Sequence, residues 1–125
     1  MTLSRIIEEF DSQRKNQVSL QQKLRWISQL DMKISSQILV PRGATGISGY
    51  DESTPLSTVA LAPEEYSEIY TLYLNYMLDL MNGETVRSNN FGALFNRLYG
   101  EMHDYLNRKT PMKNNAKIKA GDVNV

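Results

Sequence analysis

The sequence predicts an all-α protein: a small helical bundle of three to four helices, with a long loop between helices 2 and 3 and an extended C-terminal tail. Three observations lead there. Apolar residues recur at spacings of three and four in four separate segments. The longest interruption, 42–62, is built from turn residues. The chain has 125 residues, 41% hydrophobic, with seven Tyr, three Phe and one Trp, enough for one modest core. The expected division is a helical domain over 1–111 and a tail over 112–125.

The first helix is expected over Thr2–Phe10, where Leu3, Ile6, Ile7 and Phe10 form one stripe. The polar run Asp11–Val18 should end it. The second begins at Ser19, which with Gln22 makes a capping box. Leu20, Leu24, Ile27, Leu30, Ile34 and Ile38 follow, with Trp26 flanking the stripe. Pro41 disfavours helical geometry at Val40, so this helix should stop near Leu39. Arg42–Ala62 reads as a loop, in which Ser57–Leu61 has the composition of a short strand. A loop this long is uncommon in a compact domain and is usually functional or ordered on assembly.

The third helix starts at Pro63, with Glu64 and Glu65 complementing its dipole, and runs to Met81. Asn82-Gly83 offers a left-handed cap. Apolar and tyrosine side chains cover roughly two-thirds of its circumference, while Glu64, Glu68, Asn75 and Asp79 share the remaining strip. Such a helix is central to the domain or buries a second face against another chain. The fourth starts between Glu84 and Asn90 and ends near Asn107, with Phe91, Leu94, Phe95, Leu98, Met102, Tyr105 and Leu106 as its stripe. Thr110-Pro111 closes it.

The formal net charge is zero, but it is distributed in blocks: +3 over residues 1–42, −7 over 43–86 with no basic residue, and +4 over 87–125. The absence of cysteine excludes a disulfide scaffold and a thiolate zinc site, and fits a reducing compartment. The start, MTLSRIIEEF, carries acids where a signal peptide needs an apolar core. Ile69–Leu78, the longest charge-free apolar-rich stretch, is about half a membrane span.

Catalytic constellations are missing from the sequence. A nucleophile needs a base and an orienter, yet the single histidine, His103, stands alone inside the fourth helix. Glu64, Glu65 and Glu68 cluster at a helix start, where capping explains them. The loop Gly43–Gly49 lacks the lysine of a phosphate-binding loop. No enzyme activity, cofactor or metal is expected. What stands out is a ridge of Tyr66, Tyr70, Tyr73 and Tyr76 on the third helix, suited to core and to a subunit interface. The basic end, Arg108, Lys109, Lys113, Lys117 and Lys119, suits phosphates or an acidic protein surface.

One further pattern runs through the second half: Tyr66-Ser67-Glu68-Ile69-Tyr70, Tyr73-Leu74, Asp79, Asn82-Gly83-Glu84, Asn89-Asn90, Leu94-Phe95-Asn96, Tyr99 and Tyr105-Leu106-Asn107-Arg108. Asn16, Lys23, Arg25-Trp26-Ile27 and Leu30-Asp31 add a looser match before it. Over roughly 16–111 this resembles the head–tail connector, or adaptor, proteins of long non-contractile-tailed phages of Gram-positive hosts. It departs from their common pattern at Ser88 and Leu106, where Tyr is usual.

The resemblance implies a structural virion protein of the neck, made in the host cytoplasm. It implies a ring, typically of about twelve copies, beneath the portal protein, lengthening the DNA channel and offering a platform to a stopper or tail-completion protein. The C-terminal segment then docks on the portal. Asn89, Asn90 and Asn96 join the tyrosine ridge as expected subunit contacts. DNA must slide without recognition, so Glu64, Glu68 and Asp79 are expected to face the channel. A small helical DNA-binding or packaging accessory protein is the alternative. Against it stand the acidic block and a fourth helix with only Arg97 between Phe91 and Asn107.

Overall fold

In the computed structural model, which describes residues 1–109, Thr2 caps the first helix by accepting the Arg5 amide at 3.1 Å. Helix α1 (Leu3–Gln13) buries Leu3, Ile6 and Phe10, the expected stripe. It continues past Phe10, because Asp11, Ser12 and Gln13 extend it on its solvated side, where polar residues cost a growing helix little.

Helix α2 (Leu20–Ile34) begins at Ser19, whose hydroxyl accepts the Gln22 amide at 3.1 Å. Leu24, Ile27, Leu30 and Ile34 are buried, and so is Trp26, which does more than flank the stripe. Helical backbone does not stop at Leu39. A π turn (Ser35–Leu39) leads into a 3-10 turn (Val40–Arg42), and Val40 keeps φ −61°, ψ −44° before proline. Pro41 falls in the first positions of that new turn, where its missing amide is not needed. Gly43, at φ 97°, ends the run.

The 44–62 segment is tied down along its length within the single chain. On one side it hangs from α2 and the π turn that follows: Ser35 Oγ accepts the Ile47 amide (3.2 Å), Ser28 Oγ the Tyr50 amide (2.9 Å), and Asp31 the Leu61 amide (3.1 Å). On the other it holds the chain's start: Leu3 donates to Thr58 O (2.9 Å), Ser4 to Leu56 O (3.0 Å) and Ala60 to Met1 O (2.9 Å). The strand expected over Ser57–Leu61 reduces to one antiparallel bridge between Thr2 and Val59. We call this segment the strap.

Gly49 lets the strap approach α2. Its φ is +101°, and a Cβ there would collide with Ser28 Oγ and sit 3.1 Å from Met32 Sδ. Gly49→Ala should therefore cost about 2 kcal/mol in urea unfolding, the scale of a strained left-handed residue. A variant as stable as the parent would contradict this account of the strap.

A 3-10 turn (Glu64–Tyr66) precedes α3 (Glu68–Met81), which packs on α1, α2 and α4. These three neighbours within the chain account for much of the wide apolar arc of α3. Its end is a Schellman cap: Gly83, at φ 75°, donates to Leu80 O (3.2 Å) and Glu84 to Asp79 O (2.9 Å). That turn sends α4 (Thr85–Lys109) back along α3.

Asp31 sits at the centre of the bundle. Its carboxylate is fully buried and accepts from Tyr50 Oη (2.5 Å), Tyr70 Oη (2.5 Å) and the Leu61 amide. Tyr70 Oη in turn accepts the Ala62 amide at 2.8 Å. Burial lifts the Asp31 carboxyl above its ordinary range, and the three donors offset only part of that. Burial, and then the neighbouring Asp31 charge, push both tyrosine hydroxyls far above their ordinary value of 10.0.

A group whose folded pKa is raised stabilises the fold below its unfolded pKa and loses that contribution as pH climbs through the folded value. The tyrosine contribution should hold up to about pH 10 and then fall. Tyr50 and Tyr70 should form phenolate only as helical circular dichroism is lost. Their ionisation in an intact helical protein would contradict the hub. For Asp31 the same rule places its contribution in acid, so this carboxyl does not drive acid unfolding.

Candidate assembly surface

The α3–α4 hairpin carries most of the residues singled out by sequence. Ser88, Phe95 and Met102, seven residues apart, are the buried line of α4. Ser88 Oγ donates to Tyr76 O at 3.3 Å, and Gly92 brings the backbone close to Tyr76, whose ring carbons would lie 3.2 Å from an added Cβ. Aromatic rings fill the seam between the helices: Tyr73 lies 5.3 Å from Phe95, Phe95 5.6 Å from Tyr99, and Tyr66 5.2 Å from Tyr105.

The tyrosine ridge is therefore largely internal to the chain. Tyr70 is core, 1% exposed, with its hydroxyl spent on Asp31 and Ala62, so it is withdrawn from the interface set. Tyr66, Tyr73 and Tyr76 are half-buried in the α3–α4 seam, leaving only their edges open. Asn89, Asn90 and Asn96 are exposed on α4, and among the described residues none of their side chains is hydrogen-bonded. No helix break occurs near Ser88; α4 is continuous from Thr85.

Asp79 requires a correction. It is fully buried and cannot belong to an open channel-facing strip. Arg14 clasps it with two nitrogens, Nη2 to Oδ1 at 2.7 Å and Nη1 to Oδ2 at 3.2 Å, and Arg87 Nε reaches Oδ1 at 3.3 Å. Asn75, also buried, accepts from Arg14 at 2.9 Å and donates to Gln13 at 3.2 Å. The lower half of the polar strip on α3 is thus the seat of the α1–α2 connection. Its upper half differs: Glu64 and Glu68 are exposed, and Glu64 pairs with the Met1 amine at 3.1 Å.

Arg108 and Lys109 are exposed in the last turn of α4. Lys109 Nζ donates to Tyr105 Oη at 2.9 Å, and that hydroxyl donates to Glu65 at 3.1 Å. Lys113, Lys117, Lys119 and the closing Thr110-Pro111 lie outside the described residues.

Sequence reasoning passed over Asp31 and its companions Ser28 and Ser35. A signal existed: on a helical wheel Asp31 falls between Leu24 and Ile27, inside the apolar stripe. A carboxylate there must be bonded internally. Exposed apolar side chains form the other unassigned feature. Leu80 (54%), Met81 (57%) and Val86 (76%) crown the α3–α4 turn, and Leu94 (42%) lies further along α4.

Among the described residues no cluster of His, Cys, Asp and Glu could hold a metal, and no helix is long and apolar enough to cross a membrane. A groove of about 340 Å³ between α2 and the strap mixes Leu24, Met32 and Tyr50 with Arg25, Asp51 and Glu52. No family model, curated protein or solved structure matches the chain.

Proposed function

We propose that this chain is a non-catalytic, ring-forming adaptor of a phage neck, placed between a portal protein and a stopper or tail-completion protein. The observation that carries the reading is the unspent face of the α3–α4 hairpin. Helix α4 is 25 residues long but buries only Ser88, Phe95 and Met102, and exposed apolar Leu80, Met81, Val86 and Leu94 lie on the same hairpin. An apolar surface of that kind marks a site of association. The sequence resemblance, which runs through this same hairpin, supplies the identity of the assembly.

In a ring each subunit offers one patch to a different patch of its neighbour. The outer surface of α4, with Asn90 between Val86 and Leu94 and with Asn89 and Asn96 on the other flank of Val86, is assigned as one such patch. Asn side chains left without internal partners suit bonding to a neighbour's backbone. Arg108, Lys109, Lys113, Lys117 and Lys119 are assigned to the portal-docking end, and exposed Glu64 and Glu68 to the channel side.

The test is a paired substitution on the exposed hairpin, Val86→Asp with Leu94→Asp. Neither residue is buried, so the monomer should keep its helical circular dichroism and thermal midpoint. Sedimentation with the portal protein of the proposed neck should show the parent bound and the variant at least tenfold weaker. Equal binding of both would refute the hairpin face as an assembly surface.

A further inference from the structure

We propose that a second copy of this chain lays the outer stripe of its α4 antiparallel across the outer stripe of α2. Each molecule then offers α4 to one neighbour and α2 to another. The proposal rests on the reading of the α4 face as an assembly surface and names the patch that this face meets.

The two stripes carry one spacing in opposite directions. On α4 the exposed residues Val86, Asn90, Leu94, Arg97 and Glu101 follow one another at intervals of four, four, three and four. On α2 and the two turns that continue it, the exposed residues Arg25, Gln29, Met32, Ser36 and Val40 follow at four, three, four and four. Such intervals keep to one side of a helix over about four turns. The second series, reversed, is the first. Laid antiparallel, Val86 therefore meets Val40, Leu94 meets Met32 and Glu101 meets Arg25, while Asn90 falls at Ser36 and Arg97 at Gln29. Apolar side chains land on apolar side chains, and the carboxylate of one stripe lands on a cation of the other. Helices that pack along such stripes hold their register.

Arg25, Gln29 and Met32 also form one wall of the 340 Å³ groove whose other wall is Tyr50, Asp51 and Glu52. Leu94 of the second copy enters this groove beside Met32 and Tyr50, and Arg97 comes to rest next to the strap carboxylates. Among the described residues neither Arg25 nor Glu101 is in an ion pair, so each charge is available to the other. The α4 stripe cannot reach the α2 of its own chain. Tyr99 is the residue of α4 that faces that helix: its hydroxyl donates to Gln37 at 2.9 Å, and Lys33 Nζ lies 5.1 Å from its ring centroid. The stripe residues stand about 140–180° round the helix from Tyr99. One stripe against a different stripe is a heterologous contact, which adds copies until the rotation closes on itself.

Arg25 and Glu101 are exposed, so charge reversal at either should leave helical circular dichroism unchanged and act only on association. The contact is small, so sedimentation of the full-length chain should run up to about 1 mM. The parent should associate. Arg25→Glu alone and Glu101→Arg alone should each shift association to about tenfold higher concentration or more, because like charges then face each other. Arg25→Glu/Glu101→Arg in one chain should restore it. An equimolar mixture of the two single variants should restore it as well, since each stripe then finds its opposite charge on the other chain. A parent that stays monomeric throughout would overturn the proposal. So would reversals without effect, or a double variant no better than the singles. Weakening by Val86→Asp/Leu94→Asp with indifference to Arg25→Glu would make α4 meet some other surface, and would overturn it too. Loss of portal binding is read from the hairpin substitutions and bears on the adaptor reading alone.

Discussion

Replacing Asp79 with Ala is expected to lower the stability of the protein by about 3–5 kcal/mol, a large share of a typical domain's total. The carboxylate is fully buried and joins three parts of the chain: Arg14 after α1, α3 itself, and Arg87 on α4. Without it, the mostly buried Arg14 keeps only its bond to Asn75 and its place over the Phe91 ring, 5.9 Å from the centroid. Arg87 is 54% exposed and can turn to water, so Arg87→Ala should cost less than about 1 kcal/mol. Urea unfolding followed by helical circular dichroism separates these cases. An Asp79→Ala loss no larger than that of Arg87→Ala would contradict the clasp.

The second large effect belongs to Asp31. Asp31→Ala strips the acceptor from two tyrosine hydroxyls and the Leu61 amide at once. Each unsatisfied buried donor costs about 1–3 kcal/mol, and relaxation keeps the total below their sum, so about 3–5 kcal/mol is expected. Tyr70→Phe should cost about 2 kcal/mol, because it also orphans the Ala62 amide. Combined with Asp31→Ala it should be strongly sub-additive, since both act on one network. Hydrogen exchange gives an independent view. In Asp31→Ala the Tyr50 and Leu61 amides should lose protection before those of the α3–α4 hairpin, because the strap is released first. Uniform loss of protection would show that strap and bundle are one cooperative unit.

Both hubs mark where local sequence signals end. The Ser19 cap and the Asn82-Gly83 stop are short-range devices, and each is visible in a few residues. Four helices followed from apolar spacing for the same reason. The strap read as an open loop because its bonds run from its backbone to Ser28, Asp31 and Ser35, side chains distant in sequence. Asp79 read as solvated because spacing cannot reveal that Arg14, distant in sequence, occupies the space beside it. Asp31 is different: its place inside the α2 stripe was open to reading. The tyrosine ridge was visible as a pattern, but its partners Phe95 and Tyr105 are set by how α4 folds back on α3.

The proposed assembly role rests on the unspent face of α4. Its buried line holds the hairpin together, and its outer residues add little to the single chain. Native mass spectrometry of the full chain, alone and mixed with the portal protein of the proposed neck, addresses that role most directly. The adaptor reading predicts a closed oligomer on the portal, in whole multiples of the chain mass and of one dominant copy number. A chain that stays monomeric and unbound in the presence of assembled portal would contradict it.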